Sequence, residues 1–406
     1  MQESGSKSIS AIVIVAALGY FVDIYDLILF SIVRIPSLKS LGITGDELLS
    51  NGVMLLNMQM AGMLVGGIIW GVLGDKRGRI SVLFGSIIMY SVANILNGMV
   101  QDIPQYAVLR FIAGIGLAGE LGAGITLVSE VMSKESRGYG TTIVATIGIL
   151  GAVAAALVAD YFEWRTAYYV GGVMGLLLLF LRISVYESGM FRNIKTENVG
   201  RGQFHHLFTN RKRFFKYIKC ILIGSPLWFV VGVLMTFSDA FAKKLGVEGV
   251  TPAKAVMFCY IGLAIGDFLS GYLSQVFKTR KKIIFIFILL TNILMVIYLF
   301  FNSFGTFYFY TICLLLGVSC GYWAVFVTNA SEQFGTNLRA TVTTTVPNFV
   351  RGSVVPLTLL FQFLNAKVDI IYSAAIVASI SLIFAYISAS KLEETYGKEL
   401  DYIEML

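Results

Sequence analysis

Charge is what this sequence has little of. Only 14% of its 406 residues are Asp, Glu, Lys or Arg, while 57% are hydrophobic, against roughly a quarter charged in ordinary soluble domains. A water-soluble fold of this length could not cover itself with so few charges. Cysteine is sparse too, and Cys220, Cys259, Cys313 and Cys320 lie in or beside apolar stretches without metal-like spacing, which reads as packing. Histidine is confined to His205-His206 in a basic stretch with no partner at ligand spacing, so no metal site is expected. The phosphate-cradling Gly-x-x-x-x-Gly-Lys-[Ser/Thr] loop is absent, which removes ATP as a direct energy source. No cofactor and no enzyme constellation is expected. The first apolar segment lacks a small-residue cleavage site and carries Asp23 and Asp26, so it reads as a membrane span and not a signal peptide.

What the sequence has instead is apolar runs of membrane-crossing length. An apolar core of about 30 Å takes about 20 helical residues, and twelve such spans are predicted at 10–32, 50–73, 80–100, 105–129, 139–159, 166–183, 217–238, 253–276, 283–301, 305–328, 340–363 and 369–390. Membrane strands would need short alternating segments, whereas residues 167–181 are apolar on every face. The fold class is therefore all-α, with the lipid bilayer as solvent. Most of the 31 basic residues fall in the termini and in the loops on their side, which predicts both termini cytoplasmic; the membrane expected is a plasma (inner) membrane. The net +7 is then a topology signal and gives no reason to expect nucleic acid as a partner.

The chain echoes itself. Gly71-Val72-Leu73-Gly74-Asp75-Lys76-Arg77-Gly78-Arg79 after span two is answered by Gly271-Tyr272-Leu273-Ser274-Gln275 with Lys278 and Arg280 after span eight. Ser129-Glu130 with Arg137 is answered at nearly the same offset by Ser331-Glu332 with Arg339. A polar, basic stretch from 182 to 219 separates the copies. The expected organisation is a six-helix bundle at 1–183, a basic cytoplasmic loop at 184–216 and a second six-helix bundle with a short tail at 217–406.

Residues 71–79 resemble the loop signature of the major facilitator superfamily, Gly-x-Leu-x-Asp-[Arg/Lys]-x-Gly-Arg, at every fixed position. The resemblance implies twelve helices in two pseudo-symmetric bundles and transport by alternating access. Within that superfamily the sialate, metabolite and aromatic-acid proton symporters are the most similar. Asp23-Ile24-Tyr25-Asp26 resembles their Asp-Gly-[Phe/Tyr]-Asp, with Ile24 in place of the glycine. The Gly119-Glu120-Leu121-Gly122 core, the Glu163-Trp164-Arg165 segment and Asn348-Phe349-Val350-Arg351 resemble further elements of those branches. A proline found in the family near Glu187 is missing. In such a carrier Asp75, Arg79, Glu130 and Arg137 form a latch that gates one face; the second copy, with Gln275 and Lys278 off pattern, is expected to latch more weakly.

Ionisable groups inside a bilayer cost about 2.5–3.5 kcal/mol each on insertion scales, so each needs a reason. Asp23 and Asp26 share one face of span one, and Arg110 of span four reaches a similar depth, so an ion pair between them is geometrically possible. Glu120 lies deeper, among glycines, where a poorly solvated carboxylate suits a proton carrier. Asp23, Asp26 and Glu120 are the candidate proton-coupling groups. Arg110 and Arg351, with Asn348, Tyr25 and Trp228, are the candidates to bind a small organic anion, because guanidinium holds carboxylate through two bonds. Each has a purely structural alternative, as a fixed ion pair, a satisfied buried acid or an internal brace. Tyr20, Tyr25, Trp228, Tyr322 and Trp323 read either as cavity lining or as aromatics facing lipid. Ser225-Pro226 is expected to break span seven and Pro347 and Pro356 to bend span eleven, while Asp239 and Asp267 read as solvated near helix ends. Proton-coupled uptake of an organic anion is the leading expectation; proton-driven export of a siderophore, drug or metabolite, and a carrier-like sensor, are the alternatives.

Overall fold

The computed structural model describes the backbone of residues 2–77, 79–120, 122, 137–187, 204–301 and 304–398. Among the described residues there is no strand, and the order of the main helices is α1 Gln2–Ser40, α2 Glu47–Arg77, α3 Arg79–Asn97, α4 Ile103–Leu117, α5 Arg137–Tyr161, α6 Trp164–Glu187, α7 Arg211–Phe229, α8 Ser238–Lys244, α9 Pro252–Val276, α10 Lys281–Phe300, α11 Thr306–Cys320, α12 Trp323–Glu332, α13 Thr336–Gly352, α14 Val354–Asn365 and α15 Ile370–Lys391. Helix starts follow local chemistry. Asp102, Asn210, Thr251 and Asp369 each accept a backbone N–H of the first turn that follows them, as donors without an intrahelical partner require.

Nine helical stretches among the described residues are long and apolar enough to cross a membrane. The other three of the twelve expected spans differ for physical reasons. The apolar parts of α3 and α4 are shorter, and span eleven is divided at Ser353 into α13 and α14. Its first part is polar, with Thr341, Thr343, Thr345, Asn348 and Arg351 all buried, because it faces protein and not lipid.

The internal echo seen in the sequence reappears in the packing. On α2, Gly62 and Gly66 lie against the carbonyls of Phe111 and Ile115, and Gly114 of α4 lies against the carbonyl of Gln59. On α9, Gly262 and Gly266 lie against the carbonyls of Leu314 and Val318, and Gly317 of α11 lies against that of Cys259. In both copies a Cβ would overlap the facing backbone, so the crossing exists only because these positions are glycine. Helices α1–α6 meet α7–α15 chiefly through α5 on α9 and α2 on α13, again a matched pair of contacts.

The breaks fall near, but not on, the expected prolines. Helix α7 passes through Pro226 unbroken, because the Ser225 hydroxyl donates to Leu222 O at 2.9 Å, the carbonyl that the proline leaves without its N–H partner. The helix widens instead at Val230–Met235 into π geometry, where Thr236 N–H and hydroxyl both donate to Val231 O at 3.3 and 2.8 Å. Span eleven breaks at Ser353, three residues before Pro356. Span ten is interrupted at Gly321-Tyr322, between α11 and α12, with no proline to announce it.

Candidate functional site

Deep in the protein, Arg351 in the last turn of α13 faces Asp23 in the middle of α1. Both are 0% exposed and their nearest atoms are 3.8 Å apart, beyond hydrogen-bond length. None of the three Arg351 nitrogens and neither Asp23 oxygen has a hydrogen-bond partner among the described residues. The guanidinium is walled by indoles: the Trp228 and Trp323 ring centres lie 5.7 and 5.9 Å from it, and the two rings meet edge to face. Tyr20 of α1 and Tyr260 of α9 lie within electrostatic reach of the same pair. The constellation thus draws on α1 from the first half of the chain and on α7, α9, α12 and α13 from the second. Five buried N–H donors without acceptors are rare in proteins, and here they converge between aromatic faces, a setting suited to a planar anion.

Arg110 lies elsewhere. It donates to Gln59 Oε1 of α2 and to the Tyr168 hydroxyl of α6 at 3.4 Å, and its guanidinium sits 4.4 Å over the Phe30 ring. The Tyr168 hydroxyl in turn lies 2.7 Å from that of Tyr106. Arg110 forms no ion pair with Asp23 or Asp26 among the described residues. Asp26 is fully buried without a hydrogen bond; its Oδ1 packs on Gly171 of α6, with Arg110 and Asn94 as polar neighbours. Three residues along a helix amount to about 60° of rotation. That suffices to turn Asp23 toward the second half of the chain and Asp26 into the first.

Glu120, just past α4, holds Arg182 of α6 through both carboxylate oxygens, one of the bonds at 3.1 Å. The pair rests on Gly19 of α1, where a side chain would overlap both partners. Arg182, expected to belong with the polar loop, is buried in the helix instead. Asn348 donates its amide to Ala118 O at 2.8 Å and to Thr344 O at 3.0 Å, which ties α13 to the segment after α4. The Tyr25 hydroxyl donates to Ala167 O at 2.9 Å, so Tyr25 braces α1 against α6, away from Arg351. Trp228 lines the Arg351 group directly.

The side chains of Asp75, Arg79 and Arg137, and Glu130 as a whole, lie outside the described residues. In the second copy, Arg280 donates to Glu332 through Nε at 2.6 Å and Nη2 at 2.8 Å. The substituted copy thus holds a two-bonded ion pair, formed by residues other than the off-pattern Gln275 and Lys278.

Two acids expected to be solvated near helix ends have protein partners instead, Asp239 while still partly exposed and Asp267 while buried. Asp239 pairs with Arg34, which is buried at the far end of α1, stacked over Phe237 at 4.7 Å. This ion pair joins α1 to α8 on the face away from the termini, beside a Thr236 to Ser31 hydrogen bond of 3.0 Å and a Thr358 to Asn57 bond of 2.6 Å. Asp267 is 2% exposed and accepts the N–H of Ala324 at 3.1 Å. Arg34, Arg182 and Gln59 belong to no motif visible in the sequence. The first two carried a usable signal, since each is a charge inside or at the edge of an apolar run.

The sequence pattern of the Major Facilitator Superfamily matches residues 16–358. Among similar proteins are one of Bacillus subtilis (strain 168) named as a niacin/nicotinamide transporter, 25% identical over 83% of this chain and 84% of its own; the cis,cis-muconate transport protein of Acinetobacter baylyi, 26% identical over 83% of each; and the sialic acid transporter of Escherichia coli (strain K12), 25% identical over 71% and 70%. The chain belongs to the Major Facilitator Superfamily, as an integral membrane transporter and not an enzyme.

Proposed function

We propose that this chain takes up a small organic carboxylate together with protons by alternating access, in a plasma membrane and with both termini cytoplasmic. The observation that carries the reading is the Arg351–Asp23 pair: opposite charges from the two halves of the chain, fully buried, close enough to attract and without hydrogen bonds. A substrate carboxylate would take the guanidinium through two charge-assisted bonds, with Trp228 and Trp323 on its faces. Asp23, no longer opposite a bare cation, would then be an anion in an apolar interior, and a proton removes that charge. Loaded with both, or empty with Asp23 facing Arg351, the centre is neutral; with either alone it is not. Coupling then follows from the cost of moving an uncompensated charge through the apolar core.

Asp26 and Arg110 support the site from within the first half, Arg110 as a fixed cation held by Gln59 and Tyr168. Glu120 with Arg182 is a neutral bidentate unit, whose opening would supply a second proton acceptor. Residues 1–183 and 217–406 move as the two bundles about this centre, with 184–216 as their connection and the Asp75, Arg79, Glu130 and Arg137 group gating the cytoplasmic face. The named substrates of the relatives, niacin, muconate and sialic acid, support an organic acid as cargo.

The test is uptake of a panel of radiolabelled carboxylates into proteoliposomes, with and without an inward proton gradient. At least one is expected to accumulate against its gradient in the parent and to lose accumulation in Arg351→Lys, which keeps charge but loses the two-bond geometry. Accumulation by Arg351→Lys at the parent level would refute the assignment of the site.

A further inference from the structure

Asp267 sits on α9 where the chain of span ten comes closest. At this crossing span ten leaves helical geometry: α11 ends at Cys320, α12 begins at Trp323, and Gly321 presses on Gly266 so closely that a Cβ there would overlap the α9 backbone at Gly266 and Asp267. A helix that restarts has backbone donors without partners. Tyr322, the residue before α12, makes no side-chain cap. The cap comes from another helix, with Asp267 Oδ1 accepting the Ala324 N–H, and a carboxylate at a helix N-terminus is favoured by the backbone dipoles as well. Its second oxygen, Oδ2, is buried with no hydrogen-bond partner. The first residue of the capped helix is Trp323, whose ring faces Arg351.

We propose that Asp267 is a positioning residue: by capping α12 from α9 it fixes Trp323 against Arg351, and so makes the central site favour planar carboxylates over saturated ones. The first half of this statement stands on geometry alone, and the selectivity half rests on Arg351 holding the substrate carboxylate. An amide at position 267 keeps the acceptor oxygen, whereas alanine or leucine removes it, so the cap and mere occupancy of the position are separable.

The protein contains four tryptophans, so 5-fluorotryptophan labelling gives four 19F resonances, with that of Trp323 assigned by its loss in Trp323→Phe. Asp267→Ala and Asp267→Leu are expected to shift and broaden that resonance, and Asp267→Asn to leave it in place. In the same preparations, affinities for benzoate and cyclohexanecarboxylate are read from fluorescence quenching. The parent is expected to prefer benzoate by about fivefold, the scale of an aromatic face contact, and Asp267→Asn to keep that ratio. In the alanine and leucine variants the ratio should fall toward one. An unmoved Trp323 resonance in both apolar variants overturns the proposal, as does loss of folded protein in both, which would make Asp267 a residue of general stability. Should Arg351→Lys leave both affinities untouched, the reading of the central site fails, while the Trp323 resonance still decides the role of Asp267.

Discussion

Glu120 and Arg182 meet through two parallel hydrogen bonds in the apolar interior, and Gly19 of a third helix forms the floor beneath them. A buried pair of this kind is neutral as a unit and costly once halved. Removing one partner typically destabilises by about 3–5 kcal/mol, whereas replacing both with apolar groups is often neutral. Glu120→Gln is therefore expected to lower the thermal midpoint in detergent more than the double variant Glu120→Leu/Arg182→Met does. Gly19→Ala should cost about 1–3 kcal/mol through overpacking. A double variant less stable than the single one would show that the pair contributes net stability, against this account.

The Arg34–Asp239 pair joins α1 to α8 on the face away from the termini, and its loss is expected to loosen that face. Asp239→Asn leaves Arg34 buried without a counter-charge. A cysteine placed at Ser31 is then expected to react with a membrane-impermeant maleimide about tenfold faster, the effect of a shift of about 1.4 kcal/mol in the opening equilibrium. The native cysteines are all buried, so the background is low. Equal labelling in the parent and in Asp239→Asn would remove this pair from the gate.

Outside the membrane, Glu394 of the C-terminal segment caps the start of α10. Burial alone would raise its pKa, but hydrogen bonds from the Thr279 hydroxyl and from the N–H groups of Arg280, Tyr396 and Lys281 outweigh it, pulling the pKa down to about 2. A carboxyl lowered in the folded state contributes stability that is present above its ordinary value and lost as pH falls through the folded one. Amide protection in residues 392–398, taken as the intrinsic exchange rate divided by the observed one at each pH, is therefore expected to hold down to about pH 4.5, then to fall toward pH 2. In Glu394→Gln that acid dependence should be absent. The same dependence in the glutamine variant would place its origin elsewhere.

Much of the fold is legible from composition and length, because membrane spans obey a single strong rule: apolar for long enough to cross. Span eleven shows where that rule weakens. Its threonines, Asn348 and Arg351 make it the least apolar span, and they do so because they face the interior and the site. Duplication is visible at Gly71 and Gly271, and the close crossings at Gly62 and Gly262 carry it into three dimensions. Pairings are less legible, since they depend on how each helix is rotated about its axis. Arg110 lies at a depth compatible with either aspartate, yet it turns to Gln59 and Tyr168, and the arginine opposite Asp23 comes from the other end of the chain. The break before Trp323 was equally hidden, because it follows from Gly321 and Gly266 meeting across two helices and from a cap supplied by Asp267.

The central claim, that Asp23 exchanges its place before Arg351 with substrate and carries the proton, is tested most directly by Asp23→Asn in proteoliposomes containing a carboxylate the parent transports. Counterflow exchange of labelled for unlabelled substrate, without any proton gradient, should persist, because Arg351 still binds the anion. Gradient-driven accumulation should vanish, because the asparagine takes up no proton. Accumulation against a concentration gradient at the parent level in Asp23→Asn would contradict the account.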